Sequence, residues 1–335
     1  MLAVLCACAG CGDAPVELQG RTMGTTWSVV VPDPPEGVDA DRLQSIVDEV
    51  FAEVNATLST YDPSSELSRF NQYESTSPVA ASPMLCEVIA LAADVGEATG
   101  GAFDVTVGPL VGLWGFGSTA GDGAGARTPD AATLAATRSQ VGRDKLIVDR
   151  VAGTLQKTAP ELAVDVDGIA PGFAVDRVAE RFEDIGVQRY LIELGGELRG
   201  RGLSPDRRPW RVAIEAPLGG ERRPYALVAL DGQGLSTSGD YRDARIVDGR
   251  RVSHTIDPRT GAPVGHRLAS VTVVQGTAAL ADAYATALMV LGPQEGFELA
   301  TRMGIPALFI VRSEDGREFT ERATASFELL RRPLD

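Results

Sequence analysis

The chain has 335 residues, 44% of them hydrophobic and 23% charged, a globular composition that supports one large domain or two intertwined ones. Its formal charge of −15 leaves no basic stripe to displace counterions from a phosphate backbone, which excludes a nucleic-acid partner. With two histidines, and three of the four cysteines in the first eleven residues, neither a zinc finger nor a His-rich metal centre can be assembled; any metal here is held by oxygens.

The opening "MLAVLCACAGCGDAP" is a short apolar run that ends in small residues and turns polar at once, like the tail of a secretory signal. Residues 1–11 are read as a leader, and "CAGC" resembles a lipobox with Cys8 in place of the usual Leu, so that Cys11 becomes the lipidated mature start. Cys8 is the second candidate, and an ordinary unstructured N-terminus is the alternative. No Lys or Arg precedes the run, which points to a start codon further upstream. After cleavage only Cys11 and Cys86 remain, too few for a disulfide framework, and no other stretch is apolar enough to span a membrane.

In chain order, "RTMGTTWSVVVP" alternates like a strand and stops at the turn "PDPPEG". Over residues 39–58, Leu43, Ile46, Val47, Val50, Phe51, Val54 and Leu58 recur at helical spacing, with Asp39 or Asp41 as cap. "STYDPSSELSRFN" reads as a polar loop and turn; Ser82 and Pro83 then start a second helix that runs to Gly100-Gly101. "FDVTVGPLVGLWGFG" is too glycine-rich for a helix, and residues 117–128 read as a flexible surface loop. A short helix, the hairpin "KLIVDRVAGTLQKT", strand-like "ELAVDVDGI" and the amphipathic helix "APGFAVDRVAERFEDIG" lead into "YLIELGG". Strands follow near Trp210–Glu215, Tyr225–Leu230, Leu235–Ser238 and Ala269–Gln275, and "PALFIVR" with "REFTERAT" forms a closing antiparallel pair. Helices mixed with antiparallel-type strands, without strict βαβ alternation, predict an α+β fold.

"LADAYATALMVLG", residues 280–292, reads as a helix buried all round but interrupted by Asp282 and Thr286, four residues apart and so on one face. A buried carboxylate needs donors or a cation. Either Asp282 is a structural group bonded to nearby backbone or Arg, or the pair holds a hard cation, Mg²⁺ or Ca²⁺, through oxygen.

Taken in order, "RTMGTTW", "STYDPSSELSRFN", "VDVDGIAPGFAVD", "SHTIDPRTGAP" and "LADAYATAL" closely resemble the ApbE family, the FAD:protein FMN transferases, from about residue 20 to 315. The resemblance implies a T-fold-related α+β domain over residues 16–335, with mixed and antiparallel sheets, packed helices and an FAD cleft between two interleaved halves. It implies that FAD is a substrate, cleaved with Mg²⁺ (Ca²⁺ being the alternative), and that FMN passes to a Thr or Ser of an acceptor flavoprotein with release of AMP. Rnf- or Nqr-type redox complexes or other exported FMN-binding domains are the acceptors the resemblance suggests, and a lipid-anchored location at the inner membrane, facing the periplasm, is the expected setting.

Residue by residue, the resemblance places a metal at Asp282 and Thr286, with Ala285 beside them and the Gly168 carbonyl as a further ligand. Met23, Tyr61, the turn of Ala102, Phe103 and Asp104, then Asp165 and Ile256 match positions that contact the dinucleotide. On its own Met23 reads as core, Tyr61 as either packing or ligand, and Phe103 as core. Pro171 stands where the family commonly has Lys and supplies no charge there. Asp176 reads as helix surface and His266 as surface. His254, whose type titrates near neutrality, becomes the candidate base that activates the acceptor hydroxyl; without the resemblance it reads as a satisfied polar residue. Asp257, Pro258 and Gly261 shape a turn, and Gly195-Gly196 is either a tight turn or a close approach to ligand. Two rival readings are a metal-dependent FAD pyrophosphatase and a flavin-binding lipoprotein without chemistry.

Overall fold

The structure, a computed structural model, describes residues 14–117, 128–218, 223–240, 244–247, 250–314, 316 and 318–334. The leader reading of residues 1–11 and the interior of the 117–128 loop lie outside the described residues.

Eight strands form one sheet in the order Val16–Thr22, Thr25–Val31, Tyr190–Leu194, Glu197–Arg201, Gln233–Gly239, Leu268–Gln275, Ala307–Arg312 and Phe319–Ala323. Every neighbouring pair is antiparallel. Because strand side chains alternate between faces, the sheet feeds two cores. Val29, Val31, Ile192 and Val273 point into the larger one, where the helices Ala40–Leu58, Pro83–Ala98, Ala170–Asp184 and Ala278–Met303 bury their apolar stripes. Val30, Leu191, Val274 and Ile310 point the other way, against Trp210, Val212 and Val228 of a three-stranded sheet built from Trp210–Glu215, Pro224–Leu230 and Arg331–Arg332. A third, smaller cluster joins Leu110, Trp114, Phe116, Val141 and Ile256.

The helix starts follow their capping residues. Asp39 accepts the Arg42 N–H and Ser82 the Leu85 N–H, each satisfying a donor that the first helical turn leaves open. The α+β expectation holds, and the predicted strands fall close to their observed places.

Four local expectations change. "RTMGTTW" is not one strand but the junction of two, because Met23 and Gly24 (φ 47° and 71°) form a two-residue turn whose left-handed conformation suits a hairpin. "STYDPSSELSRFN" contains the helix Glu66–Gln72, capped by Ser65. "VGPLVGLW" supports a short helix, Gly108–Leu113, since Pro109 sits in the first turn where no N–H is required. "ELAVDVDGI" alternates like a strand but pairs with none; Asn71 instead bonds both the Val164 N–H and its carbonyl, at 2.8 Å each.

The long helix breaks at Gly292 (φ 78°), just before Pro293. Pro293 has no N–H for the Met289 carbonyl one turn back. His266 Nε2 supplies that bond at 2.8 Å, and its Nδ1 accepts the Leu268 N–H at 3.3 Å. His266 is therefore a partly buried structural donor at the break, not the surface residue expected from the sequence.

Candidate active site

A cleft of about 920 Å³ gathers most of the residues that the motifs single out, although they are far apart in the chain. Its lining includes Tyr61, the Ala102–Asp104 turn, Asp165, Gly168, Pro171, His254, Ile256, Asp282 and Thr286. Two expected residues do not line it. Met23 packs partly buried against the main core while the neighbouring Gly24 and Thr25 face the cleft, because the hairpin turn points its backbone there. Ala285 is fully buried, one helix position away from the face that carries Asp282 and Thr286.

The polar wall rests on three elements. Asp282 and Thr286 come from the long helix, and the strand Gln233–Gly239 lies against them. Strand alternation brings Ser236 beside Asp282, its hydroxyl donating to Glu197 Oε1 at 3.2 Å, while Ser238 Oγ sits 3.5 Å from Thr286 Oγ1, the limit of such a bond. The loop before the Ala170–Asp184 helix brings Gly168 so close that a Cβ there would lie 3.1 Å from Thr286 Oγ1. Gly172 N–H donates to Asp282 Oδ2 at 3.2 Å. The three residues expected to share a cation, Asp282, Thr286 and Gly168, are thus neighbours.

This wall is acidic. Burial first, then the nearby Glu197 carboxylate, push the Asp282 carboxyl well above its ordinary range, against the pull of the Gly172 N–H. Burial also raises Asp165. Asp167 is exposed at the cleft; desolvation there and the Asp165 charge push its carboxyl up to about 7, although the Tyr61 hydroxyl bonds to it. Carboxylates held in such proximity call for a cation to offset them. Among the described residues no group of three or more His, Cys, Asp or Glu side chains has metal-binding geometry, so an ion here depends on neutral oxygens and on its ligand as well. The donor set fits a hard cation.

The apolar wall differs. Phe103 is buried and reaches toward Gly168, whereas Tyr61 stands 65% exposed on its loop, where an aromatic ring without a packing role is available to a ligand. Asp104 lines the cleft, but its oxygens are engaged by Thr106 and the Arg143 N–H, so it shapes the turn. Ile256 is buried in the third cluster, beside the cleft. His254 stacks edge-on to Phe116 at 6.5 Å between ring centres, and its Nδ1 is buried without a hydrogen-bond partner. Pro171 takes the first turn of its helix, a position that tolerates proline. Gly195 and Gly196 (φ 68° and 126°) make the tight turn between two sheet strands, and that turn lines the cleft. Asp257 and Gly261 shape their turn as expected, the Asp257 carbonyl accepting from Gly261 N–H at 2.8 Å.

Three participants escaped the sequence reading. Asp167 was a signal in plain view, a second acid beside Asp165. Glu197 and Ser236 carry no local signature, since strand pairing brings them to the helix.

These features define a class: an α+β protein with one cleft that is aromatic on one side and acidic on the other. The profile of the ApbE family matches residues 23–309, and the chain belongs to that family. It is 42% identical over 330 residues to the FAD:protein FMN transferase of Vibrio cholerae, covering 98% of this chain and 96% of that protein. It is 40% identical over 303 residues to the enzyme of that name from Escherichia coli K12, covering 89% and 84%. Among solved structures, the flavin transferase ApbE from Vibrio cholerae matches with a TM-score of 0.85 at 42% identity, over 94% of this chain and 99% of that one. The apo form of the flavinyl transferase ApbE from Pseudomonas stutzeri matches with a TM-score of 0.85 at 40% identity, over 94% and 96%.

Proposed function

We infer that this chain is an FAD:protein FMN transferase. The observation that carries the inference is the convergence of five distant segments, those of Tyr61, Phe103, Gly168, His254 and Asp282, on one cleft. Tyr61 and Phe103 hold the isoalloxazine, and Asp165 and Ile256 complete the dinucleotide site. The Asp282 carboxylate, the Thr286 hydroxyl and the Gly168 carbonyl are the residues to hold Mg²⁺, which when bound offsets charge on the pyrophosphate. A Thr or Ser hydroxyl of the acceptor attacks the phosphorus on the FMN side, the P–O bond to AMP breaks, and the hydroxyl proton passes to a ring nitrogen of His254. The products are the phosphoester-linked FMN protein and AMP.

The acceptor is a flavoprotein of the same compartment, of the kind found in Rnf- or Nqr-type complexes. The lipobox-like "CAGC" supports an envelope location with a lipid on Cys11, and among the described residues no helix is long and apolar enough to cross a membrane. Metabolic labelling with a radioactive fatty acid, lost in Cys11→Ser, tests the anchor.

For the activity, the protein is incubated with FAD, Mg²⁺ and an FMN-acceptor domain, and flavin fluorescence is sought on the denatured acceptor band. EDTA-sensitive covalent labelling is the expected result. A dark band with FMN and AMP accumulating in solution would replace the transferase with a pyrophosphatase, and no turnover of FAD would leave a flavin carrier.

A further inference from the structure

The helix Ala170–Asp184, with the loop before it, and the long helix Ala278–Met303 meet in an antiparallel ladder. Gly168, in the loop just before the helix, lies against Thr286; within the helix the Gly172 N–H reaches Asp282 and the Asp176 carboxylate reaches the Ala278 N–H, so the two chains run past each other in opposite directions. The approach at the lower rungs is close: a Cβ on Gly172 would meet the Ala278 carbonyl oxygen at 2.4 Å and the Ala279 Cα at 2.9 Å. Two of these rungs carry oxygens of the proposed cation site. The third carries Asp176, which is only 4% exposed although its place on an amphipathic helix reads as surface.

Asp176 does two things at once. Its two carboxylate oxygens accept the Ala278 and Ala279 N–H groups at 2.9 and 2.8 Å, and Arg199 Nη1 reaches it from the sheet at 2.8 Å. The first turn of the long helix has open donors at Ala278, Ala279 and Leu280; Asp176 takes two, and Thr277 Oγ1 takes the Leu280 N–H. A carboxylate bound to consecutive amides in this way fixes both the axial position and the rotation of the turn immediately before Asp282. Burial raises the Asp176 carboxyl, while these amides and Arg199 favour its charged form.

We infer that Asp176 is a positioning residue for the cation site: it locks the register in which Asp282 and Thr286 meet Gly168. The inference rests on the reading that these three residues hold the cation. Removing the lock lets the helix turn slip or rotate, and a ligand set with one carboxylate has no spare group to absorb the displacement. Groups bonded directly to a ligand change metal affinity about 10- to 100-fold when removed; Asp176 acts through the turn before Asp282, so the low end of that range is expected.

The test follows Mn²⁺, an oxygen-seeking probe ion, by loss of its free-ion EPR signal in the full-length protein, with thermal unfolding measured in parallel. Asp176→Asn keeps the shape but presents an amide N–H₂ where an acceptor is needed; it should weaken Mn²⁺ binding about tenfold in protein that is still folded. Thr277→Ala removes a bond of the same turn without touching the ladder, and its affinity should stay within about twofold of wild type even though its unfolding temperature falls. If folded Asp176→Asn keeps the wild-type affinity, or Thr277→Ala loses as much, the positioning role is overturned. Should Asp176→Asn not fold, Asp176→Glu, which keeps the charge but displaces it by a methylene, is read in the same way. Asp282→Ala separates this inference from the one beneath it: unchanged Mn²⁺ binding there would remove the cation site itself.

Discussion

At His254 the structure offers a ring with one buried, unpartnered nitrogen, packed against Phe116 and open to the cleft. The fold contributes little there that an alanine would disturb. His254→Ala should therefore keep its FAD affinity within about threefold, by fluorescence titration, while acceptor labelling falls by about 10²-fold or more, the range of general-base catalysis. Labelling at the wild-type rate would take the base role from this residue. Pro171 makes the opposite case, a position where something is missing. Its backbone site, in the first helical turn and at the cleft wall, accepts other residues without loss of a helical bond. Pro171→Lys should lower KM for FAD about fivefold, the worth of roughly 1 kcal/mol from a part-exposed charge near phosphate. An unchanged or higher KM would mean that the chain handles the phosphates by another route.

At the scale of elements, the break at Gly292 shows how a helix dictates a residue in a distant loop. Pro293 frees the Met289 carbonyl, and His266 fills the vacancy only as a neutral ring with its proton on Nε2, since Nδ1 must accept from Leu268. Burial accordingly lowers the His266 pKa, against the bonds to Met289 and Val290. A histidine depressed in the folded state contributes stability that is present above its unfolded pKa of about 6.5 and lost as pH falls through its folded value. Between pH 7 and 5 the wild type should lose unfolding free energy more steeply than His266→Gln, whose amide can donate to Met289 without titrating. Parallel pH profiles for the two proteins would contradict this.

The same scale shows why some elements are legible from sequence and others are not. Ser82-Pro83 and Asp39 announce their helices by local chemistry, and the structure uses those residues as caps. "TMGTTW" misleads because period-two alternation runs unbroken through a two-residue turn. "ELAVDVDGI" misleads because its extended backbone pairs with the Asn71 side chain in place of a neighbouring strand. In the site, the i, i+4 spacing of Asp282 and Thr286 is visible because both partners sit on one helix. Asp176 is invisible by the same criterion: its partners, Ala278, Ala279 and Arg199, come from two other elements, and a lone acid on an amphipathic helix otherwise belongs to water.

For the whole molecule, the acidic wall acts on what approaches as well as on what is bound. Asp282 feels Glu197 and Asp167, Asp167 feels Asp165, and the chain as a whole carries −15. A bare pyrophosphate diffusing toward this surface meets a like-charged funnel, whereas a dinucleotide already chelated to a divalent ion arrives largely neutralised there. On the proposed reading, the cleft should sort its visitors by their state of chelation before any contact is made. Stopped-flow association of FAD should be slow without Mg²⁺ and quicken as monovalent salt screens the field; with saturating Mg²⁺ it should be fast and nearly indifferent to salt. Equal rates with and without the ion would show that the field does not govern entry.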